Sequence, residues 1–177
     1  MANAVKIPEG LRALMTAFPH SGSVVWIGVR PAPGAPMLEL LKVEAIAGRG
    51  LKGDRTAEKS RPGNSRQVTL IQAEHLAAVG ALLHRAAINP ANLRRNIVVA
   101  GLNLASLKGQ QFRIGNARLE WSGECQPCSM METALGEGGY NAMRGHGGIT
   151  ARVVEGGVID VGVAVTAMPL MQESKAT

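Results

Sequence analysis

Cys125 and Cys128, in the stretch SGECQPCSMME (residues 122–132), are the two cysteines of the chain, with Pro127 directly before the second. Thiols at this spacing can form a disulfide, supply half of a metal site, cycle as a redox pair, or leave one working thiolate beside a bystander. A structural zinc centre needs two further thiolate or imidazole ligands. The chain has no other cysteine, and His20, His75, His84 and His146 include no pair at zinc-motif spacing. A thioredoxin-like pair places its first cysteine at a helix start. Here the second is better placed, because Pro127 suits a first helical position and CSMMETAL continues as a helix. The positive end of that helix would favour a thiolate at Cys128, as nucleophile or soft-metal ligand. Against this stands the commonest fate of a free cysteine, burial as a small apolar side chain.

Arginines are the second group able to do chemistry. Arg55, Arg61 and Arg66 belong to the basic stretch after Gly48, Arg94 and Arg95 precede NIVV, and Arg144 and Arg152 flank a glycine-rich loop. Guanidinium forks bind phosphate and other oxyanions bidentately. For any one of them a solvated surface is the plainer reading, but their glycine-flanked loop positions point to a shared anion site. MRGHGG (residues 143–148) could form a nest of backbone N–H groups, although no Walker phosphate loop exists in the chain. His146 has no carboxylate or nucleophile visibly paired with it, so a loop role is favoured over acid–base catalysis. No Ser-His-Asp set or close carboxylate pair supports a hydrolase.

The elements that must position these groups are short. A chain of 177 residues, 46% hydrophobic and 18% charged, suits one domain with a packed core. Its formal charge of +6 favours an anionic partner. Nucleic acid is disfavoured, because no dense Lys/Arg run is present and the five aromatics are scattered. No apolar run approaches the roughly 20 residues that span a bilayer, and the N-terminus lacks a secretory h-region. A cytoplasmic location is therefore expected, and with it few structural disulfides.

SVVWIGV (23–29) reads as a strand, RPAPGAP (30–36) as a loop, and MLELLKVEAIA (37–47) as a strand. Residues 48–65 read as one long basic loop and RQVTLI (66–71) as a strand. A helix over 72–87 places Leu76, Val79, Leu83 and Ala86 on one face. A short helical turn, the strand NIVVA (96–100) and a hairpin around Gly115-Asn116 follow. A short helix after the cysteines, a glycine-rich loop (136–148) and strands 149–155 and 158–165 complete the chain. The fold class predicted is mainly β: a closed or nearly closed barrel with a few short helices. Residues 1–21 are expected to form a loosely attached leader, 22–167 the domain and 168–177 a tail.

WIGVRP, GRGLKGDR, RQVTLI, the run LRRNIVVAGLNLASLKGQQFRIGNARLEWSGECQPC and GGITARVVEGGVIDVGVAV together resemble the MOSC domain family. That family is named for the C-terminal part of molybdenum-cofactor sulfurase. The order of the segments is the family's own, and the arginine-asparagine strand followed by Pro-Cys is the most specific part. The resemblance, to the small stand-alone bacterial type, implies a β-barrel of the pyruvate-kinase barrel-like type. It implies that Cys128 is the functional thiol, a molybdenum ligand in members that bind molybdenum cofactor. It further implies that Arg94 and Asn96 lie near the metal and cofactor, with Lys52, Arg55 and Arg66 as further cofactor-binding candidates.

Such members reduce small N-hydroxylated or N-oxygenated compounds, with an electron-donor protein as partner. In the sulfurases the domain is thought to receive or carry sulfur, so a persulfide on Cys128, handed to a partner, is the second expectation. A non-catalytic anion-binding module is the third. Neither the β-barrel domain that precedes MOSC in amidoxime-reducing proteins nor the aminotransferase-like domain of sulfurases is seen, so no pyridoxal phosphate site is expected. Cys125 is a neighbour without an assigned role.

Overall fold

The computed structural model describes residues 8–59, 61 and 64–168. Its first half runs α1 (Glu9–Met15), β1 (Gly22–Val29), β2 (Leu38–Leu40), β3 (Lys42–Ile46), β4 (Gly50–Leu51), α2 (Arg55–Glu58), β5 (Val68–Gln72) and α3 (Ala73–Leu82). Next come α4 (Pro90–Leu93), β6 (Ile97–Ala100), a 3-10 turn (Leu104–Leu107), β7 (Gln111–Ile114) and β8 (Ala117–Glu124). The chain continues through α5 (Ser129–Leu135), α6 (Gly139–Ala142), β9 (Ile149–Glu155), β10 (Gly157–Asp160) and β11 (Ala164–Ala167).

Seven strands close a mixed barrel in the order β1-β6-β5-β9-β8-β7-β11, with β11 returning to β1 through Gly22↔Val165 and Ser23↔Ala164. β2 adds to the free side of β1, and β10-β3-β4 form a separate small sheet. β5 and β6 pair in parallel, and α3 and α4 make the crossover that a parallel pair requires. Both faces of this pair are covered. Val68, Leu70, Ile97 and Val99 point into the barrel core, whereas Ile71 and Val98 pack outward against Leu76, Val79, Leu93, Met131, Leu135 and Met143. Two-sided burial explains why VTLI and IVVA read as unbroken apolar runs.

The closed barrel and its few short helices match the fold class read from the sequence. Several boundaries differ. The 37–47 strand is two strands broken at Leu41, β2 joining the barrel side and β3 the small sheet. The basic loop is shorter than expected, because it contains β4 and α2, the latter capped by the Asp54 carboxylate accepting from Thr56 N. The predicted helix 72–87 stops at Leu82, with His84 at φ 53°. The chain then folds back so closely over Gly80 that a Cβ there would run into the Ala86 carbonyl. Ala86 is consequently exposed rather than on the buried stripe. The 158–165 strand is likewise divided, β10 to the small sheet and β11 to the barrel. Residues 1–7 and 169–177 of the expected leader and tail lie outside the described residues. Within the leader, α1 forms and Phe18 packs against the barrel core.

Candidate functional site

β8 delivers the cysteine pair to one end of the barrel. Cys125 is buried just past the end of β8, its N–H bonded to the Gly148 carbonyl at 2.9 Å. Cys128 is exposed and is the N-cap residue of α5, so the helix starts at Ser129, two residues later than Pro127 suggests. Its carbonyl accepts from Met131 N at 2.8 Å, and its thiol makes no capping bond. The two thiols thus occupy opposite environments, one enclosed and one open to solvent. Arg66 Nη2 approaches Cys125 Sγ at 3.9 Å.

Arg95 lies behind the pair, 6% exposed. Its Nε donates to Gly147 O at 2.8 Å, its Nη1 to Leu93 O at 2.7 Å and its Nη2 to Cys125 O at 3.5 Å. The fork therefore ties the end of α4, the cysteine segment and the glycine loop together. That loop can come so close only because its corner lacks side chains: a Cβ at Gly147 would strike the Cys125 carbonyl, and one at Gly148 the Leu70 carbonyl. Burial presses the Arg95 guanidinium below its ordinary range, and the positive charges of Arg66 and Arg94 act the same way. The neighbouring Cys125 and Cys128 act in the opposite direction. Among the described residues no carboxylate pairs with Arg95.

A second basic group adjoins the first through Arg94. This residue ends α4 in a left-handed turn at φ 58°. Its guanidinium charge, with that of Arg55, bears on Arg30, which follows β1. Burial is the first cause holding Arg30 below its ordinary range, the two arginines add to it, and Asp54 opposes them. Arg30 Nε is buried without a hydrogen-bond partner. Asp54 is already committed, accepting from Arg30 N at 2.9 Å, Thr56 N at 2.8 Å and Asn96 Nδ2 at 3.1 Å. Arg55 and Arg94 thus lie near enough for their positive charge to be felt at Arg30, with Asp54 as the opposing carboxylate.

The match to the MOSC domain model spans residues 57–166, more than half of the chain. The chain belongs to the MOSC domain family. Among solved structures, the YuaD protein from Bacillus subtilis is similar over 84% of this chain and 96% of its own, at TM-score 0.71 and 20% identity. YiiM from Escherichia coli aligns over 88% of this chain and 73% of its own, at TM-score 0.65 and 18% identity. YiiM from Geobacillus stearothermophilus gives TM-score 0.64 over 83% of this chain and 75% of its own, at 16% identity. These likenesses show the fold. No curated protein matches the sequence.

Within this MOSC domain the residues singled out from sequence divide into three sets. Cys128, Arg66, Arg94 and Arg95 share one electrostatic neighbourhood, and Arg55 joins it through Arg30 and Arg94. Asn96 is buried and fully engaged by protein. Its Oδ1 accepts from Thr69 N at 3.1 Å and Thr69 Oγ1 at 2.9 Å, while Nδ2 reaches Gly28 O and Asp54 Oδ2, both at 3.1 Å. It braces the site from behind. Lys52 stands apart, paired with Glu44 at 2.8 Å on the small sheet, and Arg152 pairs with Glu120 on the barrel wall.

Arg30 went unread in the sequence, because an arginine before proline looks like an ordinary loop residue and only its buried, orphaned Nε marks it. Among the described residues no group of three or more His, Cys, Asp or Glu could hold a metal ion, and no helix is long and apolar enough to cross a membrane.

Proposed function

We propose that this MOSC domain binds molybdenum cofactor and reduces small N-hydroxylated or N-oxygenated compounds. The observation carrying this reading is an exposed thiol, Cys128, beside arginine charge that the described carboxylates do not balance. The residues fit the group. Thiolate is the soft ligand suited to such a metal, and Arg30, Arg55 and Arg94 would hold a terminal phosphate, Arg30 Nε gaining the acceptor it lacks. When bound, the cofactor supplies two-electron chemistry, by which R–NH–OH, two electrons and two protons become R–NH2 and water. The protein's part is structural and electrostatic. Arg95 keeps fixed positive charge against the cysteine segment, and the Asn96–Asp54 brace holds the start of β6 against the end of β1.

Exposure of Cys128 also favours a second reading, in which the thiol carries a persulfide sulfur to a partner. One experiment separates them. The protein is produced in cells that make molybdenum cofactor, then assayed for bound molybdenum, cyanide-releasable sulfur and benzamidoxime reduction with an artificial electron donor. Near-stoichiometric molybdenum and turnover are expected, both lost in Cys128→Ser. Labile sulfur without molybdenum or turnover would replace this reading with the carrier.

A further inference from the structure

α3 and the glycine loop meet through two imidazoles. The rings of His75 and His146 stand edge-on with centroids 5.0 Å apart, and the His75 ring donates to the His146 main-chain carbonyl. His75 Nδ1 is buried and has no hydrogen-bond partner. His146 is tied to its own loop, with Nδ1 at 3.0 Å from Arg144 O. The stretch that these rings join is the one that braces the site. Gly147 O accepts from Arg95 Nε at 2.8 Å, and Gly148 O accepts from Cys125 N at 2.9 Å. His75, Gly145, Gly147, Gly148 and Cys125 also share the wall of a cleft of about 170 Å³, into which a displaced ring can move.

A neutral His75 suits this arrangement, because an Nδ1 without a proton needs no acceptor. A second proton on the ring would have to sit on that nitrogen, and a buried N–H left without an acceptor is costly. The charged groups around the ring do little to relieve it. On its own helix, the Glu74 carboxylate already accepts from Gly101 N at 2.7 Å. At the end of β8, Glu124 accepts from the Gln126 amide. Lys108, across the cleft on the 3-10 turn, and Arg144, in the glycine loop, are both cations. Burial first and His146 second accordingly hold the His75 ring below the ordinary imidazole range, against the main-chain bond and Glu74.

We propose that His75 is an acid-operated latch on the glycine loop: once protonated, its ring leaves the His146 main chain and frees the loop from Arg95 and Cys125. Acid then loosens the brace behind the thiols and the arginines while the barrel strands stay folded. The latch goes beyond the function proposed above and holds whether Cys128 carries metal or sulfur.

The test reads the thiol that the loop covers. Cys128→Ser leaves Cys125, 3% exposed, as the remaining thiol of the full chain. Its labelling by dithiodipyridine is followed from about pH 8 to about pH 5 and divided at each pH by the rate for glutathione, to discount thiol titration. Circular dichroism over the same range keeps global unfolding apart. The relative rate should rise about tenfold as pH falls through the lowered His75 value, with the dichroism unchanged. His75→Phe keeps an aromatic edge that takes no proton, and should hold the rate low throughout. His75→Gln, neutral and without the ring, should also abolish the rise. A relative rate flat with pH before either His75 change, a rise surviving in both variants, or labelling that merely tracks loss of dichroism would overturn the latch. The measurement needs no cofactor, so its failure leaves the cofactor reading standing, and a molybdenum-free protein leaves the latch standing.

Discussion

Arg94, Arg95 and Asn96 are consecutive, yet the left-handed turn at Arg94 gives them three different uses. Arg94 is half-buried with its charge felt at Arg30, Arg95 is enclosed against main-chain carbonyls, and the Asn96 side chain is locked by four hydrogen bonds to Thr69, Gly28 and Asp54. Their substitutions should therefore separate binding from folding. Arg94→Gly removes the guanidinium and also relieves a backbone state that costs an ordinary residue about 1 kcal/mol. It should lose phosphate binding in calorimetry while its urea midpoint holds or rises. Asn96→Ala orphans the Gly28 carbonyl and strips a partner from Asp54 and Thr69, and should cost about 3 kcal/mol in urea unfolding. Cys125→Ser should retain much of the molybdenum that Cys128→Ser loses, though the enclosed hydroxyl will lower stability. Equal loss in both cysteine variants, with stoichiometric zinc in the parent, would indicate a shared metal site instead. The short helix that begins beside Cys128 was legible from Pro127 and the run that follows it. The enclosure of Arg95 was not, because it depends on Gly147 and Cys125, distant in sequence, reaching it from separate segments.

Elements were legible where their periodicity outlasted a turn and illegible where tertiary contact cut them short. The hairpin at Gly115-Asn116 and the strands of the parallel pair follow from pattern alone. The early stop of α3 does not, since Leu83 and Ala86 continue the apolar spacing. Only the approach of Ala86 to Gly80 shows that the chain has reversed. α3 also carries His75, whose ring meets that of His146 edge-on at 5.0 Å. The fold keeps His75 neutral more strongly than the unfolded chain does. Burial and His146 lower its affinity for a proton, outweighing the His146 main-chain bond and Glu74. The unfolded state then binds more protons, so this contribution is whole above the ordinary value near 6.5 and is lost as pH falls through the lowered folded value. Thermal unfolding between about pH 7.5 and about pH 5 should show the midpoint falling with acid. His75→Gln should flatten part of that slope, and an unchanged slope would refute the assignment.

At the scale of the whole molecule there are two cores, and the site belongs to both. The barrel interior is filled by residues such as Leu70, Ile97, Phe112, Leu119 and Val165, all fully buried. The second core lies outside the β5–β6 pair and under α3, α4, α5 and α6, built around Ile71, Val79, Leu93, Met131 and Met143. Arg30 directly follows the barrel strand β1 and Asp54 joins it from the segment after β4, whereas α5, which Cys128 caps, rests on the second core. Helices of 4–10 residues cannot hold themselves together in water, so this cover owes its order to packing on the barrel. It should open at lower free energy than the strands beneath it. Met143, fully buried at the centre of the cover, tests this. Met143→Ala should cost about 2–5 kcal/mol at that locus. Hydrogen exchange should then quicken over residues 129–148 while β7, β8 and β11 keep their protection. A uniform loss across both regions would show that barrel and cover fold as one unit. A selective loss, accompanied by weaker retention of molybdenum at Cys128, would show that the cover alone sets how firmly the thiol is held against the arginines.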